Sequence, residues 1–255
     1  MIKAIFFDID GTLLSYRTHQ VLQGTIAAFE SLRHNGIKTF ISSGRPMVLI
    51  PQMPVAFDGY VTVNGGYCLA DNKVVFRNAI NPDDCHRWLD YVLQRNLTTM
   101  CFTANDMCIN RIDPTTEKLR NQLGFQMPPI LSVDEMRDRE TYQFIAVQPA
   151  EKDSEVLESL SHCRMPRWHP AFTDLIPDNS SKAVGMQHIL DHFGIDRQET
   201  MAFGDGANDI EMLDFAGFSV AMGNADPKVK QHADLVTEDA DSEGIYNALK
   251  HTGLI

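Results

Sequence analysis

Ala4-Ile5-Phe6-Phe7-Asp8-Ile9-Asp10-Gly11-Thr12-Leu13 is the stretch that decides the fold of this 255-residue chain. Four consecutive apolar residues suit a strand buried on both faces, because a strand with one wet face would alternate. Two carboxylates follow at once, which places them at the C-terminal end of that strand. Working outward, Leu22, Ile26, Phe29 and Leu32 share one helical face and stop at Asn35-Gly36. Ile37 to Ile41 reads as a second strand that ends in Ser42-Ser43-Gly44-Arg45. Strand, helix and strand make a βαβ unit.

The C-terminal third repeats the alternation. Ser180 and Ser181 offer N-caps to a helix striped by Met186, Ile189, Leu190 and Phe193 and closed by Gly194. Thr200 to Phe203 is a strand running into Gly204-Asp205-Gly206. A helix starts at Ile210, Met212 and Leu213, and further strands cover Phe218 to Met222 and Leu235 to Thr237. The pattern predicts an α/β fold with a doubly wound, Rossmann-like parallel sheet.

The middle reads differently. Asn81-Pro82-Asp83-Asp84 starts a helix with a cap, a proline at the first position and acids in the first turn. Cys85, Trp88, Leu89, Val92 and Leu93 form its apolar stripe. Met100 to Thr103 and Met107 to Asn110 suggest a hairpin, and Ser132-Val133-Asp134-Glu135 a capping box. Tyr142 to Val147 and Phe172 to Ile176 read as strands. The expected organisation is a core of residues 1–79 and 180–255, with residues 80–179 inserted as an α/β cap domain.

Lys plus Arg number 22 against 34 Asp plus Glu, a net charge of -12. An acidic surface of that size speaks against nucleic acid and anionic membrane as partners. Five scattered cysteines without a CxxC pair read as reduced thiols. No stretch has the ~18 apolar residues of a membrane helix, and no signal-peptide pattern is present. The expectation is a cytoplasmic protein.

Asp8, Asp10, Asp205 and Asp209 all follow predicted strands. Parallel strands end on one edge, where open α/β sheets bind ligands. Carboxylates converging there would repel one another in a low dielectric. A hard divalent cation resolves that, and Mg2+ is the usual choice when a phosphate supplies further oxygens. An isolated aspartate would more simply be a helix cap or turn residue; four at strand ends point to a site.

Asp8-Ile9-Asp10-Gly11-Thr12-Leu13, Ser43-Gly44-Arg45, Lys182 and Gly204-Asp205-Gly206-Ala207-Asn208-Asp209 resemble, in order, the four motifs of the haloacid dehalogenase superfamily. Asn64-Gly65-Gly66, Val220 to Ala225 and Asp241-Ser242-Glu243-Gly244 resemble its Cof-type sugar-phosphatase branch. The resemblance implies a phosphatase that hydrolyses small phosphorylated metabolites with Mg2+, sugar phosphates foremost. Asp8 would attack phosphorus and form an aspartyl-phosphate. Asp10 would serve as general acid and then base, its carbonyl touching the cation. Lys182 would neutralise the developing charge. Ile9, Ser43, Gly44, Lys182 and Asn208 would bind the phosphate group. Asp8, Asp10, Asp205 and Asp209 would hold the metal. The branch commonly has threonine where Ser43 stands, and Ser42 precedes it, so either serine qualifies for the hydroxyl.

Other residues admit plainer readings. His19 fits a surface loop and Trp88 the core of the insertion. Trp168, His169, Arg164 and Arg167 are candidates for substrate contact but equally for packing. A phosphosugar mutase and a non-catalytic phosphometabolite-binding protein are the competing readings of the whole chain.

Overall fold

The computed structural model describes residues 1–123, 125–167 and 169–255. In chain order the elements are β1 (Ala4–Phe7), α1 (Gln23–His34), β2 (Lys38–Ser42), β3 (Gly59–Thr62), β4 (Tyr67–Ala70), β5 (Lys73–Arg77), α2 (Pro82–Arg95), β6 (Thr98–Phe102) and β7 (Met107–Ile109). They continue with α3 (Pro114–Leu123), α4 (Val133–Arg137), β8 (Gln143–Val147), α5 (Asp153–Ser159), β9 (Cys163–Arg164), β10 (Thr173–Pro177), α6 (Lys182–Phe193) and β11 (Thr200–Gly204). The last are α7 (Ile210–Phe215), β12 (Phe218–Ala221), α8 (Pro227–Lys230), β13 (Leu235–Val236) and α9 (Gly244–His251). Two compact units result: Met1–Gly44 with Pro51–Arg77 and Ser181–Ile255, and Arg45–Ile50 with Asn78–Ser180.

In the first unit the strands run in the order β13-β12-β11-β1-β2-β3-β4-β5. Pairing is parallel from β13 to β3, and the β4–β5 hairpin extends the edge antiparallel. β1 sits centrally, which explains its unbroken apolar run. Ala4 and Phe6 join Met186, Ile189 and Leu190 of α6 in one core layer. Phe7 faces the other way, 4.9 Å from the Phe29 ring of α1 and 5.1 Å from that of Phe203. Each such side chain, fully withdrawn from water, is worth about 1.5–3 kcal/mol.

Helix α9 is an element the sequence reading left out, although Ile245, Ala248 and Leu249 are all buried at helical spacing. The residue before it, Glu243, adopts φ 57° and sends its carboxylate across to the start of α1. There it accepts from the Gly24 and Thr25 amides at 2.8 and 3.0 Å. Leu22, the N-cap of α1, offers no side-chain oxygen, so Glu243 satisfies orphan donors from a distance. Glu243→Ala is therefore expected to lower stability by about 1–2 kcal/mol, read as a lower midpoint in urea with kcat within a few-fold of the parent.

The second unit has a sheet ordered β7-β6-β8-β10-β9, antiparallel throughout. Trp88 of α2, Met136 of α4 and Val156 of α5 pack against Phe144 and Leu175. Asn81 caps α2 by accepting from the Asp83 amide, and Ser132 and Glu135 form the expected capping box. Leu93 departs from the expected stripe: it is 54% exposed, because the stripe of Cys85, Trp88, Leu89 and Val92 turns past it at its outer edge. Among the described residues no helix is long and apolar enough to cross a membrane.

Candidate active site

Asp8 is the first residue beyond β1 and is buried, its amide donating to the Phe203 carbonyl at 3.0 Å. The chain then turns tightly. Gly11 has φ 77°, and a Cβ there would lie 2.3 Å from an Asp205 oxygen; only glycine fits. Beyond β11, Gly204 leads into Asp205 and Asp209. A Cβ on Gly204 would meet Asp209 at 2.6 Å, so the absent side chain lets that loop fold onto itself. Asp209 closes it, its Oδ2 accepting from the Asp205 amide at 3.0 Å and the Gly206 amide at 2.8 Å.

Lys182 is the first residue of α6, after Ser181, whose hydroxyl caps the helix through the Val184 amide. Its Nζ lies 2.6 Å from Asp8 Oδ1 and 2.5 Å from Asp209 Oδ1. Asp8, Asp205 and Asp209 each present an oxygen within 4.8 Å of the others. One ammonium thus faces three buried carboxylates. Burial pushes the Asp8 carboxyl well up, Lys182 opposes that, and Asp209, Asp205 and Asp10 add to it. Asp205 rises to about 7, through burial and then Asp209, against Thr12, Tyr16 and Lys182. Burial would lower the Lys182 pKa, but Asp209 and Asp8 outweigh it and hold the ammonium charged.

Asp10 lies outside this three-carboxylate cluster among the described residues, and its carbonyl accepts from the Tyr16 hydroxyl at 3.3 Å. Ser42 is the last residue of β2, and buried Ser43 opens the loop toward Gly44, its amide donating to the Val61 carbonyl at 2.8 Å. Asn208 lies in the Gly206–Asp209 turn, and its Nδ2 donates to Asn64 Oδ1 at 3.3 Å. Ile9 is fully buried, its carbonyl accepting from the Leu14 amide at 2.8 Å.

Three residues around Asp205 escaped the sequence reading. Thr12 Oγ1 donates to Oδ1 at 3.0 Å, and Oδ2 accepts from the Tyr16 hydroxyl at 3.0 Å and Asn224 Nδ2 at 3.2 Å. Burial and then the Asp205 charge raise the Tyr16 phenol, so it remains a donor. Asn224 also donates to the Gly11 carbonyl at 2.9 Å, stitching two loops together. Thr12 and Asn224 stand in quoted motifs, and a hydrogen-bonding side chain beside strand-end carboxylates was the available signal. Tyr16 had none.

In the second unit, Arg167 pairs with Asp153 at 2.7 Å and donates to the Gln148 and Phe172 carbonyls, which is a structural use. His169 stacks on Phe172 with ring centroids 4.7 Å apart. Trp168 lies outside the described residues.

A mostly parallel α/β sheet thus carries an aspartate cluster at its strand ends, bridged by a buried lysine. The chain belongs to the haloacid dehalogenase-like hydrolase family, which it matches over residues 5–249, and it is a phosphoric monoester hydrolase. It is similar to BT4131, a haloacid dehalogenase subclass IIB sugar phosphatase, at 36% identity and TM-score 0.92, covering 99% of this chain and 100% of that one. BT1666, a phosphatase from Bacteroides thetaiotaomicron, is also 36% identical, at TM-score 0.93, covering 100% and 96%. The 5-amino-6-(5-phospho-D-ribitylamino)uracil phosphatase YitU of Bacillus subtilis is 29% identical over 268 residues, 96% of each chain. A longer Streptococcus pyogenes protein is 30% identical over 266 residues, and this chain spans 54% of its length.

Proposed function

We propose that the protein is a Mg2+-dependent phosphatase of small phosphorylated metabolites, sugar phosphates first, and that it works through an aspartyl-phosphate on Asp8. The observation that carries this reading is the bridge from Lys182 Nζ to Asp8 Oδ1 and Asp209 Oδ1 beside Asp205. Three carboxylates against one ammonium leave negative charge in a buried place, and the raised Asp8 and Asp205 pKa values express it. The donors are all oxygen, which fits a hard cation of the magnesium kind. Asp8, the Asp10 carbonyl, Asp205 and Asp209 would hold it, and it would supply charge neutralisation and polarise a phosphoryl oxygen.

The protein's own residues would carry the steps. Lys182 fixes the Asp8 carboxylate, which attacks phosphorus as the ester oxygen leaves. Asp10 gives that oxygen a proton, then takes one from a water that splits the acyl phosphate and frees inorganic phosphate. Ser43, which opens the loop, and the Gly44 amide would cradle the phosphoryl oxygens with Asn208. The insertion, residues 78–180, is proposed as the element that selects the organic part. The similarity to a sugar phosphatase supports that substrate class.

Phosphate release over a panel of phosphometabolites, with and without Mg2+, tests the reading. Activity is expected to vanish on exhaustive chelation and return with Mg2+. Full activity after chelation would sink the metal assignment. Isomerised sugar phosphate without release would mark a mutase, and neither product a binding protein.

A further inference from the structure

The Asn64-Gly65-Gly66 stretch has no part in the proposed reaction, yet the chain enters it through a run of positive φ. Val63, Asn64 and Gly65 follow one another at φ 44°, 53° and 86°. A β-branched residue at positive φ is an outlier, and such strain persists only where the surroundings impose it. A turn that merely joined β3 to β4 would put its left-handed residues into water. Here Val63 is 1% and Asn64 3% exposed.

The buried turn reaches three parts of the site. The Asn64 amide donates to the Ser43 carbonyl at 3.1 Å. Its side-chain amide lies against Gly44, where a Cβ would stand 3.1 Å from Oδ1 and 3.2 Å from Nδ2. Oδ1 accepts from Asn208 Nδ2. Gly65 packs so closely on the start of α6 that a Cβ there would lie 1.9 Å from the Ser181 carbonyl oxygen, one residue before Lys182.

We propose that Asn64 is a positioning residue for the phosphate pocket, its Oδ1 fixing the Asn208 amide so that one Nδ2 proton is committed and the other is directed at a phosphoryl oxygen. The inference rests on the reading of Ser43, Gly44 and Asn208 as the phosphate cradle. An asparagine suits the place twice over: it tolerates the left-handed backbone, and it carries an acceptor to turn a second amide. The Ser43–Gly44 loop, the Asn208 turn and the head of α6 would thereby share one keystone.

Asn64→Gly separates the side chain from the backbone, because glycine keeps the left-handed turn without strain. The variant is expected to fold, melting no more than a few degrees below the parent. It should bind inorganic phosphate about 10-fold more weakly by calorimetry in Mg2+, and KM should rise by a similar factor on every ester. Asn208→Ala should weaken phosphate comparably, and adding Asn64→Gly to it should change affinity little, since the first acts through the second. Unchanged phosphate affinity in Asn64→Gly, with Asn208→Ala impaired, overturns the role of Asn64 alone. So does full additivity of the two. Unchanged affinity in Asn208→Ala overturns the phosphate-cradle reading and this proposal with it.

Discussion

Asp8→Asn is expected to stop phosphate release on every ester, by roughly 10⁴-fold or more, while the protein melts at a higher temperature. The first half follows from the proposed mechanism: a neutral amide in place of the carboxylate cannot form the aspartyl-phosphate. The second follows from charge. Burial raises the Asp8 carboxyl well above its usual range even with Lys182 alongside. A carboxyl with a raised folded pKa is destabilising when ionised, and increasingly so as pH climbs past its unfolded value. The amide removes the cost of burying that charge, and with it the repulsion from Asp209 and Asp205, while Lys182 keeps Asp209. Without added metal, a rise of about 2–4 °C is expected near neutral pH, shrinking toward acid. Asp10→Asn should fail differently. Activated esters need little protonation, so the first step should survive better on p-nitrophenyl phosphate than on alkyl phosphates, visible as a burst. Near-native turnover by Asp8→Asn on any substrate would refute the choice of nucleophile.

Ala4 to Phe7 announced a central parallel strand because both faces are covered, by α6 on one side and α1 on the other. Asp8, Asp205 and Asp209 could be read as a cluster because strand ends in such a sheet meet at one edge, whereas Asp10, grouped with them on the same ground, lies outside it among the described residues. The bridge from Lys182 to Asp209 was not legible, since nothing local says that the first residue of a helix points inward. Tyr16 was still less visible: it lies in a surface turn, 57% exposed, and its hydroxyl reaches Asp205 because the β11 loop returns beside it. The Glu243 cap on α1 spans 219 residues between Gly24 and Glu243. Long-range polar contacts of that kind have no periodicity to betray them. Leu93 failed for the opposite reason, because spacing alone cannot say how wide a buried stripe is.

Lys182→Ala should lower kcat/KM by about 10³-fold, and by nearly the same factor for large and small esters. The reasoning is geometric. Lys182 Nζ touches Asp8 and Asp209, groups that the proposed mechanism uses in every turnover. Truncation leaves Asp8, Asp205 and Asp209 facing one another with no ammonium, so the nucleophile holds its proton more tightly and transferred charge goes uncompensated. Removing one partner from a buried ion pair also weakens the fold, and the melting temperature should fall, which could be mistaken for the cause of lost activity. Chemical rescue separates the two effects. The space vacated beside Asp8 and Asp209 suits a small ammonium ion, so millimolar methylammonium should restore part of the rate, whereas it cannot refold a damaged core. The decisive comparison is the ratio of wild-type to variant kcat/KM for acetyl phosphate and for the best metabolite. If those ratios differ by more than about tenfold, Lys182 is reading the leaving group, and its assignment to the shared phosphoryl centre is wrong.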